Sequence, residues 1–292
     1  MVDNVVEVAR TADRCASAVR GTAYGELEAV LRESPHREEL LVLWARLLVT
    51  ITPEELASEM VDELWRRDMS EWLVAIEHFL DYAHERKPAS LDAFVAEVVS
   101  WPWALQVPFA RILLTTVAKS LPADILPSHY LVARGMLLEA AEEAGCPGLV
   151  GALTGLVAQG WRDRDCPATR LAFDLTRQVH RELPDRWARQ QAIAEFALLL
   201  GQGRTDEPVT VRTHGGARVL TEHDDPARPD HAERATVVAA RVVRHAASGL
   251  LDRIEEELAD QAPDEQGLVS VLLALTLAAA TRLREDAQFG LP

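Results

Sequence analysis

A chain of 292 residues, 48% of them hydrophobic, carries enough apolar surface for one large helical domain or two ordinary ones, which excludes global disorder. Its 46 acidic side chains against 30 lysines and arginines leave a formal charge of −16. That charge repels phosphate backbones and anionic lipid, so neither nucleic acid nor a membrane surface is the expected partner; a basic protein is.

Lysine is confined to Lys87 and Lys119, and neither sits in a recognisable motif. The three cysteines, Cys15, Cys146 and Cys166, form no close pair. Cys146 and Cys166 each precede a proline and so each stands at an expected helix start. Opposite ends of an antiparallel helix pair lie roughly 20 Å apart at 1.5 Å per residue, too far for a disulfide. The opening Met1-Val2-Asp3-Asn4 has no basic region before an apolar core, and Leu268 to Ala280 is too short a run to span a bilayer. Reduced thiols in a cytoplasmic protein are the expectation.

Residues 2–20 place Val5, Val8, Ala9, Ala12, Ala16 and Val19 on one side of a weakly amphipathic helix that Gly21 ends; a short helix over Tyr24 to Arg32 follows. Ser34-Pro35 reads as a serine cap with proline at the first helical position. Leu40, Leu43, Trp44, Leu47, Leu48 and Ile51 then recur with the helical period. Thr52-Pro53-Glu54-Glu55 is a capping box, with Leu56, Met60, Leu64 and Trp65 as its buried face. Ser70 caps the helix that carries Trp72, Leu73, Ile76, Phe79 and Leu80, and Ser90 opens the next, with Leu91, Phe94, Val95 and Val98 inward.

Trp101-Pro102-Trp103 breaks the pattern, and Pro108 is expected near the start of the helix that follows. Tyr130 to Glu143 is helical and closes at Gly145-Cys146-Pro147-Gly148. In the next helix Gly151 and Gly155 are four apart, a spacing that lets a neighbour approach closely. Leu171, Leu175, Val179 and Leu183, then Trp187, Ile193, Ala197 and Leu200, continue the apolar faces. Val209-Thr210-Val211 and Arg218-Val219-Leu220 alternate around Gly215-Gly216, a hairpin signal near 208–221. Glu222 to Asp230 reads as a polar linker. His231 to Asp260 is helical, with Gly249 placed to kink or divide it, and Asp264 can cap the last helix.

The fold class is therefore all-α: consecutive antiparallel helical hairpins, as an α-solenoid-like array or an irregular bundle, with one small β-hairpin. The expected segments are a helical array over 1–201, a hairpin and linker over 202–230, and a C-terminal helical pair over 231–292. Start signals recur about every 34 to 42 residues, which in period resembles tetratricopeptide and HEAT repeats, although no hairpin carries their residue signatures.

Two groups of residues are candidate sites. Trp101, Trp103, His129 and Tyr130 flank one helix and could anchor a partner. His223, Asp224 and His231 have the donor types of a zinc, iron or manganese site. The His223-Asp224 doublet resembles that of metal-dependent HD phosphohydrolases, and Asp224-Asp225-x4-Asp230 resembles a prenyltransferase aspartate-rich motif. Pro226 and Pro229, and the missing companion motifs, favour a linker instead. No phosphate loop, nucleophile elbow or His-Glu-x-x-His is present, so no cofactor is expected. The function read from these residues is a non-catalytic protein-interaction or regulatory scaffold with an acidic helical surface. The alternatives are a metal-dependent hydrolase or transferase using 222–231, and an acidic inhibitor or immunity protein for a basic toxin. A homodimer through the C-terminal helices is a further expectation.

Overall fold

The computed structural model describes residues 2–51, 72–85, 87–162, 168–202, 209–213, 216–220 and 231–289. The class is all-α, helices accounting for nearly all the described elements. The chain divides into two compact units, Met1–Ser128 and His129–Pro292. That division falls inside the expected 1–201 array and places the C-terminal helices in the second unit. The Thr52-Pro53-Glu54-Glu55 box, the apolar positions after it, Ser70, Cys166 and the 222–230 linker lie outside the described residues.

The first unit contains α1 (Val2–Arg20), α2 (Tyr24–Glu33), α3 (Arg37–Ile51), α4 (Leu73–Glu85), α5 (Pro88–Ser100) and α6 (Trp103–Ser120). Helix α7 (Pro127–Ala144) begins at its end. Helix α1 offers small buried residues, Ala12, Cys15 and Ala16, and packs against α2 and α6. It ends at Arg20, just before Gly21 as expected, but the left-handed residue of the turn is not the glycine. Thr22 takes the left-handed conformation (φ 58°), and the Ala23 amide donates to the Ala18 carbonyl at 2.7 Å, closing a Schellman turn. A β-branched residue there is strained.

Proline opens helices here more often than serine does. Pro88, not Ser90, is the first residue of α5, and Pro127, not Tyr130, that of α7. Ser34 ends α2 instead of capping α3; its Oγ takes the His36 amide at 3.1 Å, and α3 starts at Arg37. Pro102 is the N-cap of α6, while Pro108 lies within it. The turn before α7 is held by Arg20, whose guanidinium donates to the carbonyls of Pro122, Ala123 and Ile125 at 2.8–3.0 Å. Asp13 Oδ1 accepts from the Ser128 amide at 2.9 Å, a carboxylate at the positive end of α7. The unit's core is aromatic: Trp72 stacks on Trp101 at 6.2 Å, both meet Phe109 edge-on at 5.2–5.3 Å, and Phe94 joins Phe109 to Phe79.

In the second unit, Gly145 (φ 75°) ends α7, with the Cys146 amide donating to Ala141 at 2.8 Å. After one 3-10 turn come α8 (Val150–Arg162), α9 (Ala168–Glu182) and α10 (Arg186–Gly201). Asp185 caps α10 by accepting from the Ala188 amide at 2.8 Å. Strands β1 (Val209–Thr213) and β2 (Gly216–Leu220) pair antiparallel, with Val209 opposite Leu220. Then follow α11 (His231–Ala247), α12 (Leu251–Gln261) and α13 (Glu265–Phe289). Gly249, at φ 69°, divides α11 from α12.

Helix α13 is the centre of this unit. It packs on α8, α9, α10 and α11, and its Leu268, Leu272, Leu275, Ala279 and Leu283 are fully buried. Neighbour-only packing, the property of a solenoid, does not describe these contacts. The apolar run within α13 belongs to a 25-residue helix. By length and composition its Glu265–Glu285 stretch could cross a bilayer, and that stretch is mostly buried in the protein. Helices α10 and α13 run parallel: Arg189 bonds Glu265 at 2.7 Å near their starts, and Arg282 donates to the Leu199 carbonyl near their ends. Close approach occurs at Gly160 and Gly201 and not at Gly151. A Cβ on Gly151 would meet nothing within 4 Å, whereas one on Gly160 would lie 3.1 Å from Ala280 Cβ, and one on Gly201 would lie 2.9 Å from the Ala247 backbone nitrogen.

Two substitutions test this packing in chemical denaturation. Gly201→Ala pushes a methyl into the α11 backbone and should destabilise the protein by about 1–3 kcal/mol. Thr22→Gly relieves the left-handed strain and should stabilise it by about 1 kcal/mol.

Candidate functional site

The two candidate groups fare differently. Trp101 is buried in the first unit's aromatic core, its indole N–H donating to Glu97 Oε1 at 3.1 Å. Trp103, the first residue of α6, is half-buried, and the guanidinium carbons of Arg32 and Arg37 lie 5.6 and 5.4 Å from its ring centroid. His129 and Tyr130 are buried at the start of the second unit. Three of the four aromatic candidates are thus covered, and Trp103 alone keeps partial access. His223 and Asp224 lie outside the described residues, and His231 opens α11. Among the described residues, no three His, Cys, Asp or Glu side chains gather as metal ligands.

One half-buried thiol and one buried carboxyl of the second unit bear on chemistry. The Cys146 thiol donates to Gln191 Oε1 at 3.0 Å, and burial first, then the Glu195 carboxylate, pushes its pKa up. A thiol so placed stays protonated and is a poor nucleophile. Cys15 is pushed further, to about 12, chiefly by burial. Glu195, one helical turn beyond Gln191 on α10, is completely buried, and neither carboxyl oxygen has a hydrogen-bond partner. Burial raises its pKa to about 8, so it is mainly a neutral acid at pH 7.

The surface is more telling. Helix α12 buries only Ile254 and Leu258, and turns Asp252, Glu255, Glu256 and Asp260 outward. Its eleven residues hold five carboxylates against the single cation Arg253, which pairs with Glu256 at 2.6 Å. Glu257 is held at its edge by Arg241 of α11 at 3.2 Å. At the start of α12, Leu250 and Leu251 are 51% and 37% exposed. By periodicity they continue the Ile254–Leu258 face, but the turn at Gly249 makes Leu250 an N-cap and lifts both out of it. Beyond the other end, Arg186 donates to the Pro263 carbonyl at 2.6 Å and so fixes the start of α10, where Trp187 is 59% exposed. Trp187 reads from the sequence as part of an apolar helix face; the structure turns it to solvent. At 1.5 Å per residue α12 spans about 16 Å between its two apolar ends.

No protein-family model matches the chain, and no curated protein and no solved structure matches it either.

Glu195 makes stability depend on pH. Its folded-state pKa lies above the unfolded value, so folding binds a proton between the two, and stability falls as pH rises from about 4.5 to about 8. Glu195→Gln should remove that slope, which has a limit of about 1.4 kcal/mol per pH unit. Urea unfolding at pH 5, 6, 7 and 8 should show the variant gaining on the parent protein across the series; parallel curves would place the ionisation elsewhere.

Proposed function

We propose that the protein is a non-catalytic interaction module that holds a basic protein segment on the outer face of α12. One observation carries this reading: an exposed acidic helix with solvent-exposed leucines at one end and an exposed tryptophan beyond the other. Apolar anchors supply most of the binding energy in such surfaces, while exposed charges steer encounter and select partners. The chain's charge of −16 adds to the attraction for a cationic partner. Neither the thiols of Cys15 and Cys146, both pushed up in pKa, nor the buried Glu195 carboxyl supports a nucleophile or a general base. The metal-dependent reading rests on His223, Asp224 and His231, and no described geometry favours it. An inhibitor of a basic toxin would be one case of the same surface at work.

The test is affinity purification of the tagged full chain from its native cells at low salt, followed by titration of the captured partner. Raising salt should weaken binding, because exposed charges are screened within about 10 Å at 0.1 M. Glu255→Arg with Glu256→Arg should weaken it roughly tenfold at low salt, and Leu250→Ser with Leu251→Ser by at least as much, with the helical circular dichroism of each variant unchanged. A partner that binds both double variants as tightly as the parent protein would sink the proposal.

A further inference from the structure

The first unit contains a small cavity lined by Arg37, Trp44, Val98, Trp103 and Gln106, with Leu31 at its wall. Its volume is about 20 Å³, room for one or two water-sized groups. Trp44 is wholly buried, and its indole N–H meets no acceptor among the described residues. The Trp103 indole N–H is also buried without an acceptor. Buried donors normally find partners, and two of them on the rings that line one cavity call for an acceptor inside it.

The charge around the cavity specifies what that acceptor is. Among the described residues Arg37 forms no ion pair, and it stacks on Trp103, while Arg32 covers the same ring and bonds Glu28 at 2.8 Å. Helix α6 begins at Trp103, with no side-chain cap and no acidic residue in its first turn, so its positive end is uncompensated there. Helix α3 begins at Arg37; Glu38 and Glu39 of its first turn are exposed and do not line the cavity. Gln106 gives its amide protons to the Val99 and Trp101 carbonyls at 3.0 and 2.6 Å. Among the described residues no carboxylate lines the space.

We infer that this cavity binds a small monovalent anion, a carboxylate group or a halide, between the indole N–H groups of Trp44 and Trp103 and the guanidinium of Arg37. The site lies in the first unit and is independent of the acidic face of α12. A neutral water is the competing occupant: it could accept from both indoles and return a proton to the Gln106 carbonyl.

Indole ¹⁵N–¹H spectra of the full chain separate the two. The chain has seven tryptophans; Trp103→Phe and Trp44→Phe assign the two signals, and exposed Trp187 serves as an internal control. Sodium acetate and sodium chloride are titrated separately, each against a sodium sulfate series of equal ionic strength. The Trp44 and Trp103 signals should move together along one saturating curve while Trp187 stays still. Arg37→Ala should raise the midpoint roughly tenfold, the loss expected of one charge-assisted hydrogen bond. Saturation by acetate alone identifies a carboxylate site, and saturation by chloride a halide site. If neither salt gives a saturating shift, or if Arg37→Ala leaves the curve unchanged, the cavity holds water and the inference fails.

Discussion

The burial of α13 is the constraint on which the second unit depends. A helix that is apolar on most sides has to be surrounded, and α8, α9, α10 and α11 surround it. The contacts are specific as well as apolar. Trp161 donates its indole N–H to the Ala280 carbonyl at 2.7 Å, beside the point where Gly160 meets Ala280. Arg189 ties the start of α10 to Glu265, and also reaches His180 and the Pro184 carbonyl, so the end of α9 is fixed by the same guanidinium. With these ends pinned, α12 is left outside, covering the unit with Ile254 and Leu258 and facing water with most of the rest.

Buried polar groups without partners mark both units, and they differ in kind. Glu195 answers its isolation by staying protonated, which removes the charge at the cost of a stability that falls with pH. Trp44 and Trp103 have no such escape, because an indole N–H does not ionise at accessible pH. Their need is for an acceptor, and the space beside them can hold one. Trp72 belongs to the same class of unmet donor but lies within the stacked aromatic core rather than in the lining of the cavity.

Helix α12 buries little. A helix with two core residues is a weak contributor to stability and a large contributor to surface. Its carboxylates repel one another, a standing cost that a cationic partner would relieve. The leucines that precede it owe their exposure to one glycine. With a left-handed residue at Gly249 the chain turns before α12 starts, and Leu250 and Leu251 cannot follow the helix into the core.

Sequence by itself determined the all-α class and most punctuation. Gly145 and Gly249 stop helices because only a residue without a side chain takes a positive φ cheaply. The helix starts expected at Ser90 and Tyr130 fall in the structure at Pro88 and Pro127, since proline has no amide to leave unpaired. Sequence also identified buried faces, such as Leu40, Trp44 and Leu47 or Ile254 and Leu258, since the 3.6-residue period is a local property. Tertiary structure alone decided which unit each helix joined, that Trp101 is buried where Trp103 stays half-open, and that Trp187 faces solvent. It also decided that Gly160 and Gly201, not Gly151, take the close contacts, and that Thr22 carries the strain beside an available glycine. Periodicity tells which side of a helix is apolar. It does not tell which helix arrives to cover that side, and both the cavity and the exposed anchors depend on that arrival.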